Sequence, residues 1–376
     1  MKQRISSFVI GIVLYTLCPY ATASWAQTSG AWSFAVSGDS RNCGDIIMGG
    51  IAAGVRADGA MFYWHLGDFR ASSDFDQDLL AGPEYRGKHL SISEYQRTEW
   101  ADFIAQQLDP FGDVPVYLAI GNHELVSPKT RADYLQQFAD WLDSPPLRAQ
   151  RLRDDSRDHK LRTYYDWVQG GIDFISLDNA SSDQFDDAQL AWIERVLARD
   201  ATDTSVRTVV VGMHDALPDS ISAGHSMNES AQMEKSGRRV YQDLLAFRSK
   251  TKKLVYVLAS HSHFLIEDAY NDACHRTPET LLPGWIVGTA GAVRYRLPAD
   301  LGQAKQAKTD VYGYLLGTVQ PNGEILFRFK EVTSANIPTR VVERYGSTQV
   351  RACFEENKST YAPAPPTCSI GASSGN

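Results

Sequence analysis

Five times along this chain a short run of β-branched and aromatic residues stops at Gly or Ser and leads into Asp, Asn or His. The run WSFAVS (32–37) ends in Gly38-Asp39, and MFYWHL (61–66) ends in Gly67-Asp68. Residues 114–120 lead to Gly121-Asn122-His123-Glu124, 208–211 to Gly212-Met213-His214, and 253–259 to Ser260-His261-Ser262-His263. Runs this short, of these residue types, read as buried strands. A single Gly-Asp is ordinarily a turn, and a single His is ordinarily a packed or surface residue. Five such blocks at successive strand ends ask for a common cause, because the C-terminal edge of an α/β sheet is where ligands gather.

Amphipathic segments lie between the strands. Residues 93–108 carry apolar Tyr95, Trp100, Phe103, Ile104 and Leu108, residues 187–198 place Leu190, Ile193 and Leu197 on one face, and 229–247 is a more polar candidate. Strands alternating with helices indicate a layered α/β fold. Hairpin signals at Gly170-Gly171 and at Pro321-Asn322-Gly323 make the sheets mixed. Polar stretches at 70–92, 144–160 and 215–230 read as long loops near the chemistry. The hydrophobic share of 43% suffices for a core. A formal net charge of −8 without any Lys/Arg run leaves no nucleic-acid-binding surface evident.

Carboxylates can bridge two cations, an amide oxygen suits a hard cation, and imidazoles suit zinc, iron or nickel. The ordered series of blocks resembles the signature of the calcineurin-like metallophosphoesterase superfamily, with Asn122-His123-Glu124 the most specific part; Gly288-Thr289-Ala290-Gly291 resembles the later part of such domains. The resemblance implies a four-layer α/β/β/α sandwich with two mixed β-sheets, and a dinuclear centre of two divalent or transition metal ions (Mn, Fe, Zn or Ni). Carried over by residue, it makes Asp68 the bridging ligand, gives Asp39 and His263 to the first metal, and gives Asn122, His214 and His261 to the second. It makes His123 the general acid and Glu124 the residue that orients it. The implied activity is hydrolysis of a small phosphate mono- or diester by attack of metal-bound hydroxide. Two cations roughly 3.5–4 Å apart clamp phosphate and lower the pKa of water, and His123 supplies the leaving group's proton.

One block departs from the pattern. The family's first block reads Asp-x-His, whereas here it is Asp39-Ser40-Arg41, and arginine cannot ligate a cation. The purple acid phosphatase branch also lacks that His but has a ligating Tyr where this chain has Ala71. Three readings stand: Asp45, Ser40 or His65 substitutes; the first metal keeps fewer protein ligands; or Arg41 clamps the phosphate, as its fork geometry suits. The last is favoured. The alternative function is a non-catalytic phosphate-ligand binder with a weakened first metal site. His65 reads as packed within a strand, and His89, His159, His225 and His275 are left outside the set, although His225 lies in the loop after His214.

The start of the chain has the order of a secretory signal peptide over 1–26: Lys2 and Arg4, an apolar run, then small residues up to Ala26. A periplasmic or secreted product follows, with no transmembrane segment in the mature chain. The catalytic domain is expected over 27–335 and a C-terminal tail over 336–376. Cys43, Cys274, Cys353 and Cys368 then favour disulfides, with three possible connectivities. Cys353 with Cys368 would staple the tail and leave Cys43 with Cys274.

Overall fold

Alternation along the strands accounts for the layers. In 208–212, Val209 and Val211 join one apolar cluster and Val210 joins another; in 254–259, Val255 and Val257 separate likewise from Tyr256 and Leu258. Side chains of a strand point alternately to its two faces, so a strand apolar on both faces has something packed against each. The computed structural model describes residues 30–180, 185–275 and 277–368; the signal-peptide pattern over 1–26 lies outside them.

The strands are β1 (Trp32–Ser37), β2 (Tyr63–His65), β3 (Val116–Leu118), β4 (Tyr165–Gln169), β5 (Ile172–Ser176), β6 (Thr208–Gly212), β7 (Leu254–Ala259), β8 (Leu265–Glu267), β9 (Gly284–Val287), β10 (Gln306–Lys308), β11 (Tyr312–Val319) and β12 (Ile325–Val332). One sheet runs β12-β11-β1-β2-β3 and the other β10-β8-β9-β7-β6-β5-β4. The centres are parallel, β1-β2-β3 and β5-β6-β7-β9. Antiparallel strands flank them, including the two hairpins expected from the turns.

Phe34, Trp64, Trp167, Phe174, Val210 and Leu258 form the core between the sheets. Helices Asp187–Thr202 and Ala231–Thr251 cover the outer face of the seven-stranded sheet. Helix Gly44–Ala57 covers the outer face of the other. The result is the four-layer α/β/β/α sandwich with two mixed sheets.

Two expectations are corrected here. Residues 144–160 are not all loop: Pro145–Asp154 is a helix, with the prolines in its first turn, where a missing N–H costs nothing. The disulfides are Cys43–Cys353 and Cys274–Cys368, not the pairing that nearness in sequence favoured. The reason is the fold of the segment read as a tail. Helices Thr339–Tyr345 and Ser347–Glu355 bury Val341, Tyr345, Val350 and Cys353 against Gly44–Ala57, which brings Cys353 to Cys43.

The Cys43–Cys353 bridge spans 310 residues and ties the first block's loop to the core. Replacing both cysteines by Ala should lower unfolding stability by about 2–5 kcal/mol, read as a lower urea midpoint. Replacing Cys274 and Cys368 should lower it less, because that bridge spans 94 residues and holds a segment without regular structure.

Candidate metal centre

Backbone geometry at the strand ends gathers the site. Asp39, Asp68 and His261 have φ of 62°, 60° and 62°, a left-handed conformation that non-glycine residues adopt only where surroundings hold them. Here the blocks hold one another. Asp39 N–H donates to Gly67 O, Ser40 N–H to Asp68 O, and Ser260 N–H to His214 O, at 2.9 Å each. The glycines make room: a Cβ on Gly121 would stand 2.3 Å from Asp68 Oδ1, and one on Gly212 would stand 2.2 Å from the Trp64 ring.

All nine residues singled out in the sequence meet at this edge. His214 Nδ1 donates to Leu66 O at 2.9 Å, which leaves Nε2 as the nitrogen facing the site. That Nε2 lies 3.3 Å from Asp68 Oδ1, 3.0 Å from Asn122 Oδ1 and 3.0 Å from His261 Nδ1. Donors about 2.0–2.2 Å from one shared cation stand roughly 3 Å apart. Asp68, Asn122, His214 and His261 therefore fit a metal ion of mixed N/O preference, and Asp68, His214 and His261 form a cluster that could hold one. Burial works against charge on His214, yet Asp68 raises it to about 10. Burial and the neighbouring His225 lower His261 to about 3.

The first position differs. His263 Nδ1 donates to Val293 O at 2.6 Å, which leaves one lone pair, on Nε2. Arg41 Nη2 donates to that Nε2 at 3.0 Å, and Arg41 Nε lies 3.6 Å from Asp68 Oδ2. Asp39 Oδ1 is 3.3 Å from His263 Nε2. A lone pair that accepts from Arg41 cannot also bind a cation, so this donor set does not fit a metal as arranged. Burial opposes the charge on Arg41, but Asp68, Tyr295 and Asp39 hold its pKa above the usual value. Asp39, despite burial, is drawn down to about 2 by the neighbouring His263 and His214.

None of the proposed substitutes replaces the missing imidazole. Asp45 pairs with Arg70 at 2.8 Å and accepts from Tyr345 at 3.0 Å. His65 Nδ1 accepts from Gly67 N–H at 3.2 Å, and its Nε2 meets Ser40 Oγ at 2.9 Å. Both side chains are thus spent on structure.

Glu124 also departs from its expected role. It accepts backbone N–H groups of Gly121, Asp68 and Phe69 at 2.7, 2.9 and 2.9 Å, which ties the second block to the third. His123 is instead oriented by Ala71 O, 2.6 Å from its Nδ1, with Nε2 3.7 Å from Asp68 Oδ2. Ala71 thus serves through its carbonyl.

Sequence reading passed over the wall of the site. His225 stacks on His261 with ring centres 3.8 Å apart, and its Nδ1 meets Glu229 at 3.2 Å. Tyr295 stacks on His263 at 4.0 Å and meets Tyr361 edge-on at 4.9 Å. Asp215, 3.4 Å from His261 Nδ1, is pushed up to about 7 by burial against the pull of His214. The signals in the sequence were the position of Asp215 directly after His214 and that of His225 in the loop that follows.

Residues 51–265 match the family model described as calcineurin-like phosphoesterase. Among solved structures, the chain is similar to purple acid phosphatase PPD1 from yellow lupin (Lupinus luteus) seeds, at 16% identity and TM-score 0.54, over 92% of this chain and 58% of that one. It is also similar to GAP50 of Plasmodium (11%, TM-score 0.48, covering 90% and 98%) and to PhoD (14%, 0.48, 86% and 77%). At 16% identity the likeness to the lupin protein is one of fold, and the chain spans 58% of that protein's length. No curated protein matches the sequence.

Burial lowers His65 from 6.5 to about 3, and its protonation would cost Gly67 N–H its acceptor. A folded pKa below the unfolded one makes His65 stabilising above the unfolded value, with that contribution lost as pH falls toward the folded one. His65→Gln should therefore lower stability at neutral pH and flatten its decline between pH 6.5 and about 3. Parallel wild-type and variant profiles from urea titrations would contradict this.

Proposed function

The chain belongs to the calcineurin-like phosphoesterase family, and from that premise we propose that it hydrolyses phosphate mono- or diesters at the centre around Asp68. The observation that carries this reading is the convergence of Asp68, Asn122, His214 and His261 donor atoms beside His123 and Arg41. Those four residues would hold a metal ion, which would supply Lewis acidity toward phosphoryl oxygens and lower the pKa of water.

The chain's own groups do the rest. Arg41 presents a planar cation to an anionic ester and holds it in register. The Ala71 carbonyl fixes the His123 ring with Nδ1 inward, so Nε2 is the atom that meets the leaving-group oxygen. Burial lowers the His123 pKa while Asp68 raises it, and a bound phosphate anion adds to the pull of Asp68. In the complex His123 thus holds a proton at Nε2 for transfer to the departing alkoxide. The dinuclear form that the resemblance implies requires Arg41 to leave His263.

Export is part of the proposal. Two disulfides support an oxidising compartment, periplasmic or extracellular, in keeping with the N-terminal pattern. No helix among the described residues is long and apolar enough to cross a membrane.

The test is turnover of aryl phosphate mono- and diesters by the metal-loaded protein. No hydrolysis with manganese, zinc, iron or nickel would end the enzyme reading in favour of the phosphate binder, for which Arg41 in the first position is the specific support. His123→Ala should cut turnover of an alkyl ester by roughly 10²–10⁴ with metal content unchanged. An aryl ester, whose leaving group needs no proton, should lose less. Equal losses would remove His123 from the acid's role.

A further inference from the structure

The Arg41 loop is among the most tightly held parts of the site. Cys43 N–H donates to Arg41 O at 2.9 Å and to Gly291 O at 3.2 Å, and Ala292 N–H donates to Asp39 O at 2.9 Å. Asn42 N–H donates to Asp76 at 2.6 Å, while its side chain accepts from Val293 N–H at 3.1 Å. Cys43 is itself bonded to Cys353. The backbone on both sides of Arg41 is therefore fixed, and its side chain, 14% exposed, reaches inward to His263 and Asp68.

Charge and lone pairs lead to the same conclusion. Asp39 and Asp68 are fully buried, and Asp39 Oδ1 and Asp68 Oδ2 have no hydrogen-bond partner. Buried carboxylates need a cation close by. Arg41 stands at that place with a charge that cannot be titrated away, and it occupies the only lone pair His263 can offer.

We infer that Arg41 is a built-in replacement for the first metal, so that this chain is a one-metal phosphoesterase. The inference rests on the proposed metal-dependent activity and deepens it. The single ion belongs to Asp68, Asn122, His214 and His261. On the other side the guanidinium takes the second cation's place against Asp39 and Asp68. Its Nη1, which makes no hydrogen bond among the described residues, is the donor left for a phosphate oxygen. His263 then acts as a positioning residue that holds the Arg41 fork, with Asp39 beside its ring. A two-cation clamp is kept, with one of its cations covalently attached.

Stoichiometry tests this without recourse to activity. Metal-free mature protein, disulfides intact, is equilibrated with excess manganese, freed of unbound ion, and measured by elemental analysis and electron paramagnetic resonance. About one equivalent per chain with the spectrum of isolated ions is expected, because only one donor set is complete. His214→Ala should lose that equivalent. Arg41→His, which restores an imidazole, should take up about two equivalents and show exchange coupling between neighbouring ions. Two coupled ions in the wild type would overturn the inference and leave the phosphoesterase reading intact. One ion in both wild type and a folded Arg41→His would also overturn it, because Arg41 would not be what excludes the second. No manganese in either protein would contradict the metal-centre reading itself. The wild-type spectrum decides even where Arg41→His fails to fold.

Discussion

Two carboxylates buried at one sheet edge, Asp39 and Asp68, set the terms for everything around them. Taking such charges out of water costs several kcal/mol each unless cations and N–H donors surround them. The structure answers with His261 N–H on Asp39 at 2.7 Å, His123 N–H on Asp68 at 2.9 Å, and the Arg41 and His214 side chains between. The turns that aim these groups hold Asp39, Asp68 and His261 in left-handed backbone, at about 1–3 kcal/mol apiece. That strain is offset by the aromatic core directly beneath, where the Trp64 indole lies against Gly212 and packs edge-on to Trp167 at 5.2 Å.

Much of this was legible because the signals were local. A β-branched run, a glycine and a ligating residue can be read within eight positions, and all five blocks arrive at one edge. Helix Gly44–Ala57 was not legible, because Gly49, Gly50 and Gly54 weaken its propensity. Their role is visible only in three dimensions: a Cβ on them would meet Val341, Val332 and Tyr314 at 2.9, 2.7 and 2.6 Å. Glu124 illustrates a different limit. Adjacency suggested service to His123, whereas its partners are N–H groups at Asp68 and Phe69, far away in sequence. The disulfide pairing failed for the same reason, since it depends on two helices docking on a third.

Arg41 joins these threads. The sequence announced it as a departure, and its environment explains why the departure is tolerated: a fixed loop, a neutral imidazole acceptor and two buried carboxylates. Loss of a metal ligand there comes with a gain of permanent positive charge in the same niche. Catalysis on phosphate esters depends chiefly on preorganised charge, so the substitution preserves what the reaction requires.

The most direct test of this account is a crystal structure of the mature protein grown with manganese and phosphate, with ions located by anomalous scattering. The account predicts one peak, bounded by Asp68, Asn122, His214 and His261, with Arg41 joining His263 to the phosphate. A second peak bounded by Asp39 and His263, with Arg41 displaced, would contradict it.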